Sequence, residues 1–496
     1  MTLPAESAPP PGIRNRAAAF VASFGELLRM PRAFWIVNFS YAADGFAYYG
    51  ILILLGPFLT EQLGISDRWA SIITGSFAAV VTIFMFSLGS YAERFGMRRA
   101  LLASMVILLA GRVLLAETPM GLGVGVAAAI ACAALLVMAA GGGIIQTANY
   151  SGVKQYSSLS VNSVAFGLNY ALMNAGIVVI GFLSSEIRTQ VDRAILRRGA
   201  AASAPAVAAD SAPVDVPAWA NGFAQFSSSG IVAVFWFCTA ATALMLLVAW
   251  LTFTRRAESE KIRPESEQRI ADSRRADRAL PLMERWRRSP FADARFTYFV
   301  FILMPARTLF GYQIHIFGNY VLRAYPESVG QRFEYFPNVI NPLTVVILSP
   351  LFAALFRRTN LVSLMMVGSL VTALPTFLFC LPEREWLLLA YTVIFSAGEA
   401  LWQPRFYEFA ANVAPEGRMG EFMAAASMPW LMAKFGTGLY SGWMMELFCP
   451  SRDSHARVWI MWAIFGVVAL ISPVGLFAAR RWLRAGLRTT APAAAA

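Results

Sequence analysis

"SYAADGFAYYGILILLGPFLTEQLGIS", Ser40–Ser66, is apolar or aromatic almost throughout, yet Asp44 stands inside it. About 20 consecutive apolar residues wound as a helix cross a hydrocarbon core of roughly 30 Å, so the run reads as a membrane span. An ionised group at the centre of such a span costs at least about 2.5–3.5 kcal/mol, and it persists only where a partner or a wet cavity meets it. The rest of the chain agrees with a membrane setting. Of its 496 residues 57% are hydrophobic and only 14% charged, against roughly 25% charged in soluble domains.

Similar runs recur to the end of the chain. They are long and unbroken, which argues against a barrel of alternating strands. The cysteines, Cys132, Cys238, Cys380 and Cys449, are scattered without the spacing of a metal site or disulfide framework. His315 and His455 are the only histidines, and no nucleophile–base cluster accompanies them, so neither an enzyme nor a bound cofactor or metal is expected. The formal charge of +12 falls mainly in the breaks between apolar runs. There it fixes membrane orientation, and nucleic-acid binding is not expected.

Hydropathy windows place an all-α polytopic fold with twelve transmembrane helices near 33–60, 69–91, 100–116, 121–147, 162–185, 229–254, 296–322, 338–356, 361–381, 386–412, 421–447 and 457–479. With a cytoplasmic N-terminus, 27 of the 41 Lys and Arg residues lie in inner segments, which favours both termini inside. The organisation expected is a cytoplasmic segment 1–32, a six-helix bundle 33–254, a cytoplasmic linker 255–295, a second bundle 296–480 and a tail 481–496. Ile13, Ala17, Phe20, Val21, Phe24, Leu27 and Leu28 recur at helical spacing beside Arg14, Arg16 and Arg29 and suggest an amphipathic helix on the inner leaflet. The long outer loop 186–228, rich in Ala, Pro and Ser in its middle, reads as a flexible connector.

After the second span comes "GSYAERFGMRRAL", Gly89–Leu101. It resembles the loop signature of the major facilitator superfamily, with Glu93 in place of the usual aspartate and Tyr91 and Met97 also departing from the pattern. Gly89 and Gly96 permit a tight turn, while Glu93, Arg94 and Arg98 suit pairing with helix ends and neighbouring helices as a gating loop. "AFGLNYALMNAG" (Ala165–Gly176), "NPLTVVILSPLFAAL" (Asn341–Leu355) and "GEALWQPRFYEFAANVAP" (Gly398–Pro415) resemble the fifth, eighth and tenth helices of the proton-dependent oligopeptide transporter family. "FAYYG", Phe46–Gly50, looks like the end of that family's first-helix signature. The resemblance implies two pseudo-symmetric six-helix bundles and a transport function. The acids and arginines of the family's first helix, however, fall on Tyr41, Asp44, Gly45 and the uncharged Ile51–Ile53, and its fourth-helix lysine on Gln146.

Counting 1.5 Å per residue from the span edges, Asp44, Arg112, Arg307, Glu399 and Lys434 land near mid-depth, drawn from both halves. Transporters of this kind bind their solute near the midplane, between the halves. Three cations against two acids suit a small polar solute bearing a carboxylate, or a peptide-like or amino-acid-like zwitterion. The resemblance adds Tyr48, Tyr49, Asn174 and Asn341 as cavity-lining candidates, Trp430 joins them as an aromatic of the eleventh helix, and Gln403 shares a helix face with Glu399. Glu399 and Asp44 are candidate proton carriers. Pro305, Pro342, Pro404 and Pro429 lie within spans where they would kink a helix.

The expectation is thus a multi-pass secondary transporter, a monomer in the lipid bilayer of a plasma membrane of the bacterial inner-membrane type, working by alternating access with proton symport. An exporter or facilitator of amphipathic compounds and a non-transporting solute sensor on the same fold stand as alternatives.

Overall fold

In hydrocarbon no water satisfies backbone N–H and C=O groups, so each apolar run closes its own hydrogen bonds as a helix. The structure, a computed structural model, describes residues 25–88, 95–158, 162–203, 216–262, 281, 283–284, 287, 289–356, 359–413, 419–455 and 457–490. Its long helices are α1 (Arg32–Pro57), α2 (Asp67–Leu88), α3 (Met97–Ala116), α4 (Val124–Tyr156), α5 (Asn162–Ser203) and α6 (Gly230–Thr252) in the first half. The second half holds α7, in the three pieces Ala294–Phe301, Met304–His315 and Phe317–Ala324, then α8 (Asn341–Leu355), α9 (Leu361–Ala373), α10 (Glu385–Val413), α11 (Met419–Phe448) and α12 (Val458–Thr490). Eight of these are long and apolar enough to cross a membrane by composition, and the bent α7 makes a ninth, among the described residues. Charged and amide side chains punctuate α10 and α11, and those side chains build the site described below.

Several boundaries differ from the sequence reading. Helix α4 runs nine residues past 147 to Tyr156, and α12 continues through the expected tail to Thr490. Helix α5 does not stop at 185: it is one rod of 42 residues that absorbs the first part of the expected loop. Its extension is held by an apolar stripe, Ile187, Val191 and Ala194, buried along with Val216 and Ala220 of the returning chain. Arg198 donates to the Asn221 carbonyl at 2.7 Å. The Ala- and Pro-rich middle of that loop, 204–215, lies outside the described residues, as do most of the expected amphipathic helix and most of the linker. Helix α7 bends by 60° between its last two pieces, at Ile316 rather than at a proline. Pro305 starts the middle piece and Pro342 the first turn of α8, where a missing N–H costs nothing. Pro404 and Pro429 lie inside α10 and α11.

Helices α1 to α6 pack among themselves, α7 to α12 likewise, and the two halves meet chiefly through α2 against α11 and α5 against α8 with its preceding turn Phe336–Ile340. The first seam is glycine-lined. A Cβ on Gly75 would stand 2.9 Å from Gly438 Cα, and one on Gly442 only 2.0 Å from the Asp67 carbonyl oxygen, so any side chain there pushes the helices apart. Ser71 Oγ donates to the Gly438 carbonyl at 2.7 Å and accepts from Gly442 N–H at 3.0 Å.

Two ion pairs close the same end, the end away from the chain termini. Arg188 of α5 forks onto Glu334 at 2.8 and 3.0 Å. Its guanidinium also donates to the Gln331 carbonyl at 2.8 Å and lies over the Phe333 ring at 5.3 Å. Arg323, in the last piece of α7, forks onto Asp67 at the start of α2 at 2.7 and 2.9 Å. Bidentate geometry makes these the strong kind of charge-assisted bond. No comparable packing joins α4 to α10 or α11 near the terminal end among the described residues. The halves are therefore closed at the distal end.

Candidate substrate site

Tyr41, Asp44 and Tyr48 fall at i, i+3 and i+7 on α1 and share one face. That face, with Tyr49, looks into a cavity of ≈ 100 Å³ whose wall is completed by α2, by Gln146 of α4, by Met173 of α5 and, from the other half, by Lys434 of α11. The cavity thus lies between the bundles. Four candidates chosen from the sequence, Asp44, Tyr48, Tyr49 and Gln146, meet Lys434 there.

Asp44 has a partner. Its carboxylate accepts from Arg112 Nη2 at 2.6 Å, with the two side chains 5% and 1% exposed. Arg112 also donates to the Thr242 hydroxyl, which in turn donates to the Cys238 carbonyl at 2.8 Å. All of these groups belong to the first half, so the pair is internal to one bundle and its net charge is zero.

A second acid site lies in the other half. Ser396, Glu399 and Gln403 share a face of α10 at i, i+3 and i+7. Asn341, the first residue of α8, donates to Glu399 Oε2 at 2.9 Å and to Ser396 Oγ at 2.8 Å, and Gln403 donates to Glu399 Oε1 at 3.0 Å. Glu399 is 8% exposed, held by two neutral amides and by no ion pair among the described residues. It does not line the α1 cavity.

The remaining candidates separate. Arg307 is fully buried inside the second half, its guanidinium 5.3 Å from the Trp402 ring, 4.4 Å from Phe406 and 5.5 Å from Trp430. Such stacking stabilises a desolvated cation through the ring quadrupoles. Trp430 shares its indole with Lys434, whose ammonium lies 4.9 Å from the ring centre. Asn174 is 5% exposed and donates to the Tyr170 carbonyl of its own helix at 2.8 Å, apart from the cavity wall. His315 places Nε2 2.9 Å from the Lys434 carbonyl, tying α7 to α11. Of the expected gating loop, Gly89, Glu93 and Arg94 lie outside the described residues. Gly96 opens α3 with φ +91°, a conformation that glycine alone adopts freely. Arg98 binds the end of α6 through the Phe253 carbonyl, and its N–H donates to Glu258 at 3.0 Å.

Sequence reasoning missed three buried polar groups. Asn38, Asn149 and Asn169 bridge α1, α4 and α5 through bonds of 2.9 to 3.1 Å. The other two are the pairs Arg188–Glu334 and Asp67–Arg323. Asp67 and Arg323 sit at helix ends and Glu334 in the turn before α8, where hydropathy windows assign them to loops, and only the apolar stripe beside Arg188 signals that its helix continues past it.

Residues 4–192 and 218–436 match the sequence model of the Major Facilitator Superfamily. Over 87 residues the chain is 34% identical to dipeptide and tripeptide permease B of Yersinia enterocolitica and 36% identical to that of Salmonella typhimurium, in each case 17% of this chain. The aligned part spans 17% and 18% of those permeases, about a sixth of their length. Among solved structures, that of the oligopeptide-transporter-family protein PepTSo superimposes with a TM-score of 0.67 at 16% identity, covering 92% of this chain and 99% of that one. A transporter of the same family in complex with 5-aminolevulinic acid gives 0.62 at 16% identity, covering 91% and 97%. At this identity the superpositions carry the twelve-helix architecture. With its family match running through both helical halves, the chain belongs to the Major Facilitator Superfamily.

Proposed function

We propose that the protein is a secondary transporter that moves a small peptide-like or amino-acid-like zwitterion across the bilayer by alternating access, with protons as the coupled ion. The observation that carries this reading is a cavity between two halves closed at one end, with Lys434 of the second half on a wall otherwise built by Tyr48, Tyr49 and Gln146 of the first; Glu399, cradled by Asn341 and Gln403, belongs to the same half as Lys434. Ligand sites at the midplane between repeats are the general arrangement of such carriers. The permeases it resembles over 87 residues are named for dipeptides and tripeptides. Solved neighbours include complexes with a thioalcohol-conjugated peptide and with 5-aminolevulinic acid, itself an amine joined to a carboxylate.

In this reading the solute ammonium takes a place at Glu399, and Asn341 and Gln403 orient the carboxylate toward it. Asp44, already matched by Arg112, serves as the fixed polar wall. In this reading the Gly89–Leu101 loop gates the terminal end, and the arginine distribution supports a cytoplasmic face for that end in a bacterial-type inner membrane. The working unit is the monomer, although the neighbour PepTSo2 crystallised as a tetramer.

Uptake of radiolabelled dialanine into proteoliposomes tests this. An inward proton gradient is expected to raise the initial rate several-fold, and Glu399→Gln to abolish that stimulation while leaving gradient-free exchange of solute. Equal rates with and without the gradient remove proton coupling. Stabilisation by solute without any flux assigns the fold to a sensor.

A further inference from the structure

The three cations expected at mid-depth, Arg112, Arg307 and Lys434, differ in what answers them. Arg112 is answered by Asp44, and Arg307 is enclosed by three aromatic rings away from the cavity. Lys434 differs from both. It lines the cavity, and among the described residues no carboxylate lies within ion-pair distance of its ammonium, which stands over the face of Trp430 at 4.9 Å. A ring face is a weaker counterpart than an anion, worth about 0.5–2 kcal/mol. A charge held at membrane depth faces a watery space or a ligand. Around it the first half supplies groups that donate hydrogen bonds without charge, namely the hydroxyls of Tyr41, Tyr48 and Tyr49 and the amide of Gln146.

We infer that Lys434 is the residue that receives the carboxylate of the transported solute, with Trp430 holding the empty ammonium in place and Tyr48, Tyr49 and Gln146 completing the oxyanion's hydrogen bonds. This rests on the transporter reading above and sharpens it. Lys434 belongs to α11 and Glu399 to α10, so both ends of a zwitterion are read by the second half, while the first half, its own charge cancelled within the Asp44–Arg112 pair, offers a neutral polar wall. The specificity follows: a free carboxylate is required, and its amide is refused because the ammonium would face a second donor group and no anion.

The test measures binding to the purified full-length protein by calorimetry, with dialanine, alanyl-alaninamide and N-acetylalanine as probes. Wild type is expected to bind dialanine at least about tenfold tighter than the amide, the range for a hydrogen bond to a charged partner. Lys434→Gln should erase that preference and Lys434→Arg should keep most of it, with the thermal melts of both unliganded variants confirming the fold. If dialanine binds and Lys434→Gln still prefers acid over amide, the role of Lys434 is overturned and the peptide reading stands. If dialanine fails but N-acetylalanine binds in a Lys434-dependent way, the cation site stands and the peptide reading falls. Binding of no carboxylate probe by the wild type overturns both.

Discussion

Arg112→Leu, made alone, is expected to destabilise the first half by about 3–5 kcal/mol, the cost of removing one partner from a buried ion pair. The magnitude comes from the charge left behind. Asp44 is 5% exposed, and its cavity is small, so its carboxylate would lose Arg112 Nη2 without gaining full hydration. A sharply lower melting temperature and poor recovery from detergent should follow. Asp44→Asn combined with Arg112→Leu should regain most of the loss, since a neutral amide in place of a carboxylate leaves no charge unpaired. Melting curves of the two singles and the double form the cycle. A single Arg112→Leu variant as stable as wild type would show that water, rather than Arg112, carries Asp44.

The second large effect concerns the distal seam. Glu334 is fully buried and Arg188 nearly so, and their forked bond joins the two halves. Opening that end separates the charges into water, whereas Glu334→Gln weakens only the closed arrangement. Ser185, whose hydroxyl reaches the Gln331 carbonyl across the seam at 2.7 Å, is a natural reporter position. In a Ser185→Cys background, Glu334→Gln should raise the rate of maleimide labelling by about tenfold or more, as expected for a shift above about 1.4 kcal/mol between two populated states. Gly442→Ala should act in the same direction by sterics alone, because its new Cβ collides with the Asp67 carbonyl. Unchanged labelling in both variants would mean that the seam is not held shut by these contacts.

Most of the spans were legible because their apolar runs have the length a bilayer demands, while α8 is short and α10 and α11 carry the charged and amide groups that build the site. Asp44 was legible as an anomaly, but its partner was not. Arg112 lies 68 positions away on another helix, and nothing in one-dimensional spacing says which faces of α1 and α3 meet. Glu399 and Gln403 were readable as one face because that relation is local to a helix, and Asn341 joined them only through the family resemblance. Helix α5 was cut short since Arg188, Asp192, Arg193 and Arg197 drove hydropathy below threshold. The stripe Ile187, Val191 and Ala194, at helical spacing, held the contrary signal. Charges near span ends were assigned to orientation, which hid the two pairs that fasten the halves.

The length of α5 has a practical outcome. Beyond Arg188 the same unbroken rod continues for fifteen residues to Ser203, a lever arm of about 22 Å at 1.5 Å rise per residue. A tilt of roughly 10° at its base would swing the tip by nearly 4 Å by that geometry. A fluorophore attached near its far end becomes a pointer that magnifies every rocking stroke of the machine beneath it.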